Sequence, residues 1–440
     1  MKDSLYAIIS TVVLGIGNMF LWTGYGSQGF IVESVLHSVH ARSPSTVGAH
    51  DGYYGLAVMN FFYMTANLFV PSLNQAMRSK WILVIGGGLF AVYFATFQYL
   101  HQFIYFPACA LLGVGFAAFN AGYSGYLSET STRETLSKNQ ALSWSITTIA
   151  IFCAGLLYMF VTSMNDTGIS AKYREYSDIE TRYFFAAFAI CEIMCMVTYS
   201  FLPNRDVQDS IASTSVRSNL FTEQMKTMLT VLVHKRTLLV VPFYLYVGVF
   251  FSYWINIFPT TIQFTRSLAA FIYLPAYFGM AFACGSFLMG MCTIYAAKRV
   301  KDFGLMPLMS INASLHLVIF ALVLSSIPGR SAIEPNDDPS WIIDPNVPFV
   351  LIAAFLFGAG DAANNTVRTV VSSLILPQQK QQTFAASRFY HAMAATILFF
   401  ASSHLTTHFY IAILAVILVV SLFCFWIVCD IIHYEDDAKR

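Results

Sequence analysis

Twelve stretches of about 20 or more mostly apolar residues recur along this chain, each long enough to cross a lipid bilayer as one helix. They lie near residues 5–30, 54–77, 81–100, 103–127, 141–163 and 183–203, and then near 237–259, 269–296, 304–327, 348–376, 384–404 and 408–429. Hydrocarbon offers no water to backbone N–H and C=O groups, so a crossing segment must satisfy them within itself, as a helix does. The pattern therefore predicts an all-α integral membrane protein with twelve transmembrane helices. Only 11% of the 440 residues are charged, where soluble chains carry about 25%, so there is too little charge to coat a water-facing surface. A net charge of +1 leaves no field for nucleic acid. All eight cysteines (109, 153, 191, 195, 284, 292, 424 and 429) fall in apolar runs, which argues against a disulfide framework and against a metal site. Met1-Lys2-Asp3 leads straight into the first run, which reads as a span and not as a removed signal peptide.

Lysine and arginine in the breaks set the expected orientation. With the N-terminus in the cytoplasm, 18 of the 24 basic residues fall on the inner side or at inner helix ends. The six on the outer side are Arg42, Lys172, Arg174, Arg182, Arg266 and Arg330. Both termini are then cytoplasmic, in the plasma membrane or an endomembrane. The longest polar break, residues 204–236, separates residues 1–203 from 237–440, and within it Leu220–Val233 has the pattern of an amphipathic surface helix. Six spans, a cytoplasmic linker and six spans is the layout of the major facilitator fold, with two pseudo-symmetric halves. Asn165-Asp166-Thr167, in an outer loop, is a glycosylation sequon; Asn312-Ala313-Ser314 and Asn364-Asn365-Thr366 match too, but lie within spans.

Ionisable groups inside a bilayer are costly and point to function. The richest set is on span ten, where Asp361, Asn364, Asn365 and Arg368 follow i, i+3, i+4, i+7 spacing and share one helical stripe. Asp361 falls near mid-membrane. Two readings are open: a cation, solute or gating contact, or a static polar clasp with Gly358 and Gly360 allowing close helix approach. Arg388 and His391 share a face of span eleven; Arg388 is placed to pair with Asp361 or, as expected, to snorkel to the inner headgroups. Glu192 in span six is a second deep carboxylate, and His316 in span nine a deep histidine; each is open to a structural or a proton-coupling role. Asn18 and Asn120 are candidates to line a central cavity, or to hydrogen-bond a neighbouring helix. No enzyme or cofactor motif stands out. Gly86-Gly87-Gly88 is mid-span and lacks the Lys-Ser/Thr of a phosphate loop.

Four segments, taken in order, resemble the Unc-ninety-three family, a divergent branch of the major facilitators. They are Leu14-Gly15-Ile16-Gly17-Asn18-Met19-Phe20-Leu21-Trp22-Thr23-Gly24 in span one, Gly52-Tyr53-Tyr54-Gly55 with Ala66-Asn67-Leu68 and Pro71-Ser72 in span two, Gly125-Tyr126-Leu127-Ser128-Glu129 with Lys138-Asn139-Gln140 after span four, and Gly358-Ala359-Gly360-Asp361 with Asn365-Thr366 in span ten. The chain departs from the wider superfamily in lacking the Gly-x-x-x-Asp signature after span two; Asn67 to Trp81 keeps only Arg78 and Lys80. The second-half version likewise lacks its acid, which in major facilitators helps to latch the inner gate.

The resemblance implies one of two roles. Some members act as accessory subunits of a potassium channel or escort receptors between membranes; others are presumed solute carriers. The likeness, the missing acid and the scarcity of deep charge favour an accessory or regulatory protein, with a membrane protein as partner and the lipid bilayer as solvent. The alternative is secondary transport of a small solute or ion. A sealed space between the halves would favour the first, and a space reaching Asp361 the second.

Overall fold

The computed structural model describes residues 3–132, 135–164, 173–205, 210, 221–300 and 302–438. Asn165 and residues 206–209 and 211–220 of the linker lie outside them. Among these residues, a long helix stands at each of the twelve expected places. Spans one to six are Asp3–Gly29, Asp51–Ala76, Ser79–Ala95, Gln102–Thr130, Leu136–Ser163 and Asp178–Ser200. Span seven is built from Lys235–Ser252, a π-turn over Tyr253–Ile257, and Phe258–Phe264. Spans eight to twelve are Leu274–Ala297, Met306–Ser326, Val347–Leu374, Lys380–Ala401 and Thr407–Ala438. Eleven are both long and apolar enough to cross a membrane. The twelfth, span two, has 26 residues, of which one, Asp51 at its start, is an Asp, Glu, Lys or Arg.

Spans one to six pack on one another, as do spans seven to twelve, and the two halves meet where span two lies on span eleven and span five on span eight. That is the major facilitator arrangement. An even number of spans puts both termini on one face, here the terminal face; the opposite is the distal face.

The halves are joined firmly on the distal face. The Tyr53 hydroxyl donates to the Ala332 carbonyl (2.9 Å), and Tyr54 shares a hydrogen bond with Ser403 (2.9 Å). Gln263 donates to the Phe30 carbonyl (2.5 Å) and accepts from the Tyr176 hydroxyl (2.6 Å). Phe30 meets Phe278 edge-on at 5.5 Å. Spans five and eight touch in their distal halves, where a Cβ at Gly155 would meet Met280 Cε at 3.1 Å and the Ala276 carbonyl at 3.4 Å. Nearer the terminal face, Trp144 on span five and Met291, Ile294 and Tyr295 on span eight are exposed.

Beside Tyr53, the distal helix Val32–Arg42 supplies Glu33, which is buried. Its carboxyl accepts the Tyr53 backbone N–H (2.8 Å) and faces His50 Nδ1 at 3.3 Å, so it caps the start of span two. Burial pushes the Glu33 carboxyl up. The hydrogen bond to Glu33 raises His50.

On the terminal face, the expected amphipathic segment is helical over Phe221–Leu232. Its apolar residues Met228, Val231 and Leu232, spaced i, i+3, i+4, pack on Ala385 and Ala386 of span eleven and on Leu68 of span two. The Tyr390 hydroxyl donates to the Leu232 carbonyl (2.9 Å). This linker helix therefore bridges the seam between the halves.

Candidate functional site: a polar relay on span ten

Span seven carries Pro259, which has no N–H to give to the Ile255 carbonyl one turn earlier. The helix widens into the π-turn just before it, with the Phe258 N–H reaching back to the Tyr253 carbonyl. This turn holds Trp254, whose ring stacks on Phe282 at 3.9 Å and whose indole N–H donates to Asp361 Oδ1 at 3.2 Å.

Asp361 stands at the middle of the 28-residue helix of span ten. Two glycines seat that helix. Gly358 opposes Gly285 of span eight so closely that a Cβ on either would run into the carbonyl oxygen of Phe282 or Phe355, and a Cβ on Gly360 would run into the His316 ring of span nine. From Asp361 a relay runs toward the terminal face. Asn365 Nδ2 donates to Asp361 Oδ2 (2.9 Å), and Arg368 Nη2 donates to Asn365 Oδ1 (2.8 Å). Asp361, Asn365 and Arg368 are all partly exposed.

Asn364 leaves the stripe. It is fully buried and accepts a hydrogen bond from Asn312 Nδ2 of span nine (2.7 Å). At 100° per residue the four-residue stripe is wide enough to split between two neighbours. His316, also buried, shares a 2.6 Å hydrogen bond with the Tyr246 hydroxyl of span seven.

Arg388 and His391 lie on span eleven, which packs on span ten. Arg388 is partly exposed. It forms no ion pair with Asp361 or with any other described residue. From the N-terminal half, Asn120 Nδ2 donates to the Tyr63 hydroxyl (3.1 Å).

Glu192 and Asn18 lie elsewhere, inside the N-terminal half and fully buried. Glu192 presses on Gly24 of span one, and neither carboxyl oxygen has a hydrogen-bond partner. Asn18 accepts from the Tyr199 hydroxyl (2.7 Å) and donates to Ser143 Oγ (3.4 Å), tying spans one, five and six together. The relay thus joins Asp361, Asn365 and Arg368 on span ten, and leaves out Asn364, Glu192 and Asn18. Sequence reasoning missed Trp254 and Tyr63. Pro259, within an apolar run, was the available signal for the first; nothing in the sequence marks the second.

Comparison with known proteins agrees with this fold. The chain is 23% identical over 434 residues to the UNC93-like protein MFSD11 of Xenopus laevis, covering 93% of each chain. It is 22% identical to the Xenopus tropicalis counterpart, again covering 93% of each. Among solved structures it resembles a mutant form of the nucleoside transporter NupG (TM-score 0.67, 12% identity, 95% of this chain and 99% of that one). It also resembles a mutant form of the peptide transporter POT (TM-score 0.66, 11% identity, 98% of both). At such identities the two structures speak for the fold alone. The model of the family described as ion channel regulatory protein UNC-93 matches residues 43–426, so this major-facilitator-fold membrane protein belongs to the UNC-93 family.

Proposed function

We propose that this chain is a non-enzymatic regulatory or accessory protein for a membrane partner, an ion channel in the sense the family's description carries. The family match across residues 43–426 carries the reading. The geometry is consistent with it: Asp361 is clasped by Trp254 and Asn365, so the one acid of the relay is already engaged within the protein. Its sidedness follows the basic residues, with the terminal face, 18 of the 24 Lys and Arg, and both chain ends in the cytoplasm. Purification from native membranes should bring down a membrane protein in stoichiometric amount, and removing the chain should change that partner's current or its surface level. Absence of any stable partner would sink the reading.

One observation favours a second reading, facilitator-type movement of a small solute. Asp361, Asn365, Arg368 and Arg388 remain partly exposed beneath a joined distal face. Saturable uptake into proteoliposomes, reduced by Asp361→Asn, would establish it; flat uptake across proton and sodium gradients would remove it.

A further inference from the structure

A buried acid on the distal face is wired to the seam between the halves. Glu33 accepts the Tyr53 backbone N–H with Oε2 (2.8 Å) and faces His50 Nδ1 with Oε1 (3.3 Å). Tyr53 then crosses the seam, its hydroxyl 2.9 Å from the Ala332 carbonyl. The seating is tight, since a Cβ on Gly52 would run into both the carboxyl and the backbone of Glu33. One turn further along the same distal helix, His37 lays its ring on Phe264 of span seven at 5.0 Å. Its Nδ1 lies 3.4 Å from the Ala49 carbonyl, next to His50. The helix Val32–Arg42 therefore touches the C-terminal half twice, directly at His37 and through Tyr53. Glu33 is buried, whereas His50 keeps part of its ring in water.

An ionised carboxyl out of water is tolerated where a positive charge and hydrogen bonds meet it. Protonated His50 supplies that charge and, being partly exposed, exchanges its proton with the medium. Asp51 and Glu334, the latter ion-paired with Arg330, favour charged His50. His37 is a second imidazole beside it, and Tyr53 and Tyr410 are phenols beside Glu33. We propose that His50 and Glu33 form a proton-operated clasp on the distal seam. While the pair holds one proton, the helix Val32–Arg42 sits on the start of span two and Tyr53 on Ala332. Loss of that proton leaves Glu33 ionised without a counter-charge, draws it toward water, and loosens both contacts. The clasp needs neither a protein partner nor a transported solute, so it goes beyond both readings above.

The test is hydrogen exchange of the purified full chain in nanodiscs from about pH 6 to about pH 8, spanning the ordinary histidine value. Rates are corrected for the intrinsic pH dependence of amide exchange. Protection of the Tyr53 amide and of the turn Gly329–Ala332 should fall as pH rises, by up to about tenfold per pH unit, the most that one proton can do. The linker helix Phe221–Leu232 should keep its protection. His50→Gln and Glu33→Gln each abolish the ion pair, and both should flatten the profile at the seam. Glu33→Gln retains an oxygen for the Tyr53 N–H, so it carries the test if His50→Gln does not fold. Gly52→Ala should lower seam protection at every pH. A flat wild-type profile overturns the clasp, as does an unchanged slope in the variants. An equal fall in the linker helix overturns it too, because the proton would then act on the whole fold.

Discussion

Asn364 and Asp361 are one turn apart on the same helix and do unlike work. Asn364 is fully buried against Asn312 and ties span ten to span nine, whereas Asp361 is partly exposed and joined to Trp254. Hydrogen bonds between membrane helices contribute about 0.6 kcal/mol on average and rarely above about 1.7. Asn312→Ala should therefore destabilise the fold by about 1 kcal/mol, and Asn364→Ala added to it should cost little more, in a double-mutant cycle of unfolding in detergent. The residue types were legible from sequence, and so was their spacing. Which of two adjacent helices each one faces was not, because a stripe of four polar residues covers more than one neighbour.

A second expectation at this scale concerns His50. Its raised affinity for protons, due first to the Glu33 hydrogen bond, means the folded state holds the proton more tightly than the unfolded one. That stabilisation is full below the ordinary histidine value and is lost as pH rises through the folded one. Glu33, raised by burial, works in the same direction. Asp51 and Glu334 also favour charged His50. The unfolding midpoint should fall as pH rises from about 6.5, and His50→Gln should flatten that slope. An equal slope in the variant would show that another group is responsible.

Among elements, the crossing of spans eight and ten depends on having no side chain at Gly285 and Gly358. The atoms a Cβ would strike are backbone carbonyl oxygens of Phe355 and Phe282, which cannot swing aside as a side chain can. Gly358→Val should abolish the folded protein by size-exclusion profile. Gly290→Ala on the same span eight, where nothing lies within 4 Å, should be tolerated. Recovery of monodisperse Gly358→Val would mean that the two spans have room to separate. The π-turn shows the same dependence on backbone. Pro259 removes one donor, the helix widens, and Trp254 is placed on Asp361.

For the whole molecule, the distal face decides how the halves meet. Tyr53 and Tyr54, from one of the segments that resemble the family, each bond across the seam, to Ala332 and Ser403. Replacing both by Phe should raise hydrogen exchange in the turn Gly329–Ala332 and leave the linker helix Phe221–Leu232 unchanged; no change at the turn would count against these contacts holding the face. Sidedness has its own check. With the terminal face cytoplasmic, Asn165 is on the glycosylated side, so glycosidase should shift the wild-type chain and not Asn165→Gln, whereas a shift that survives the substitution would point to another acceptor.

The number, order and approximate ends of the spans were decided by the sequence alone. The cost of placing a charge or an open backbone group in lipid is paid locally, segment by segment, so each apolar run carries its own answer. Family membership was legible for a related reason, since its motifs are short and contiguous. The rotation of each helix about its axis was decided only in the tertiary structure. Glycine contacts set it between spans eight and ten, and a proline-driven turn sets it in span seven. That rotation separates Asp361 from Asn364, withdraws Glu192 and Asn18 into one half, and sets Trp254 of span seven on Asp361 of span ten. Meetings of this kind depend on residues far apart in the chain packing at once, which no single run of sequence can express.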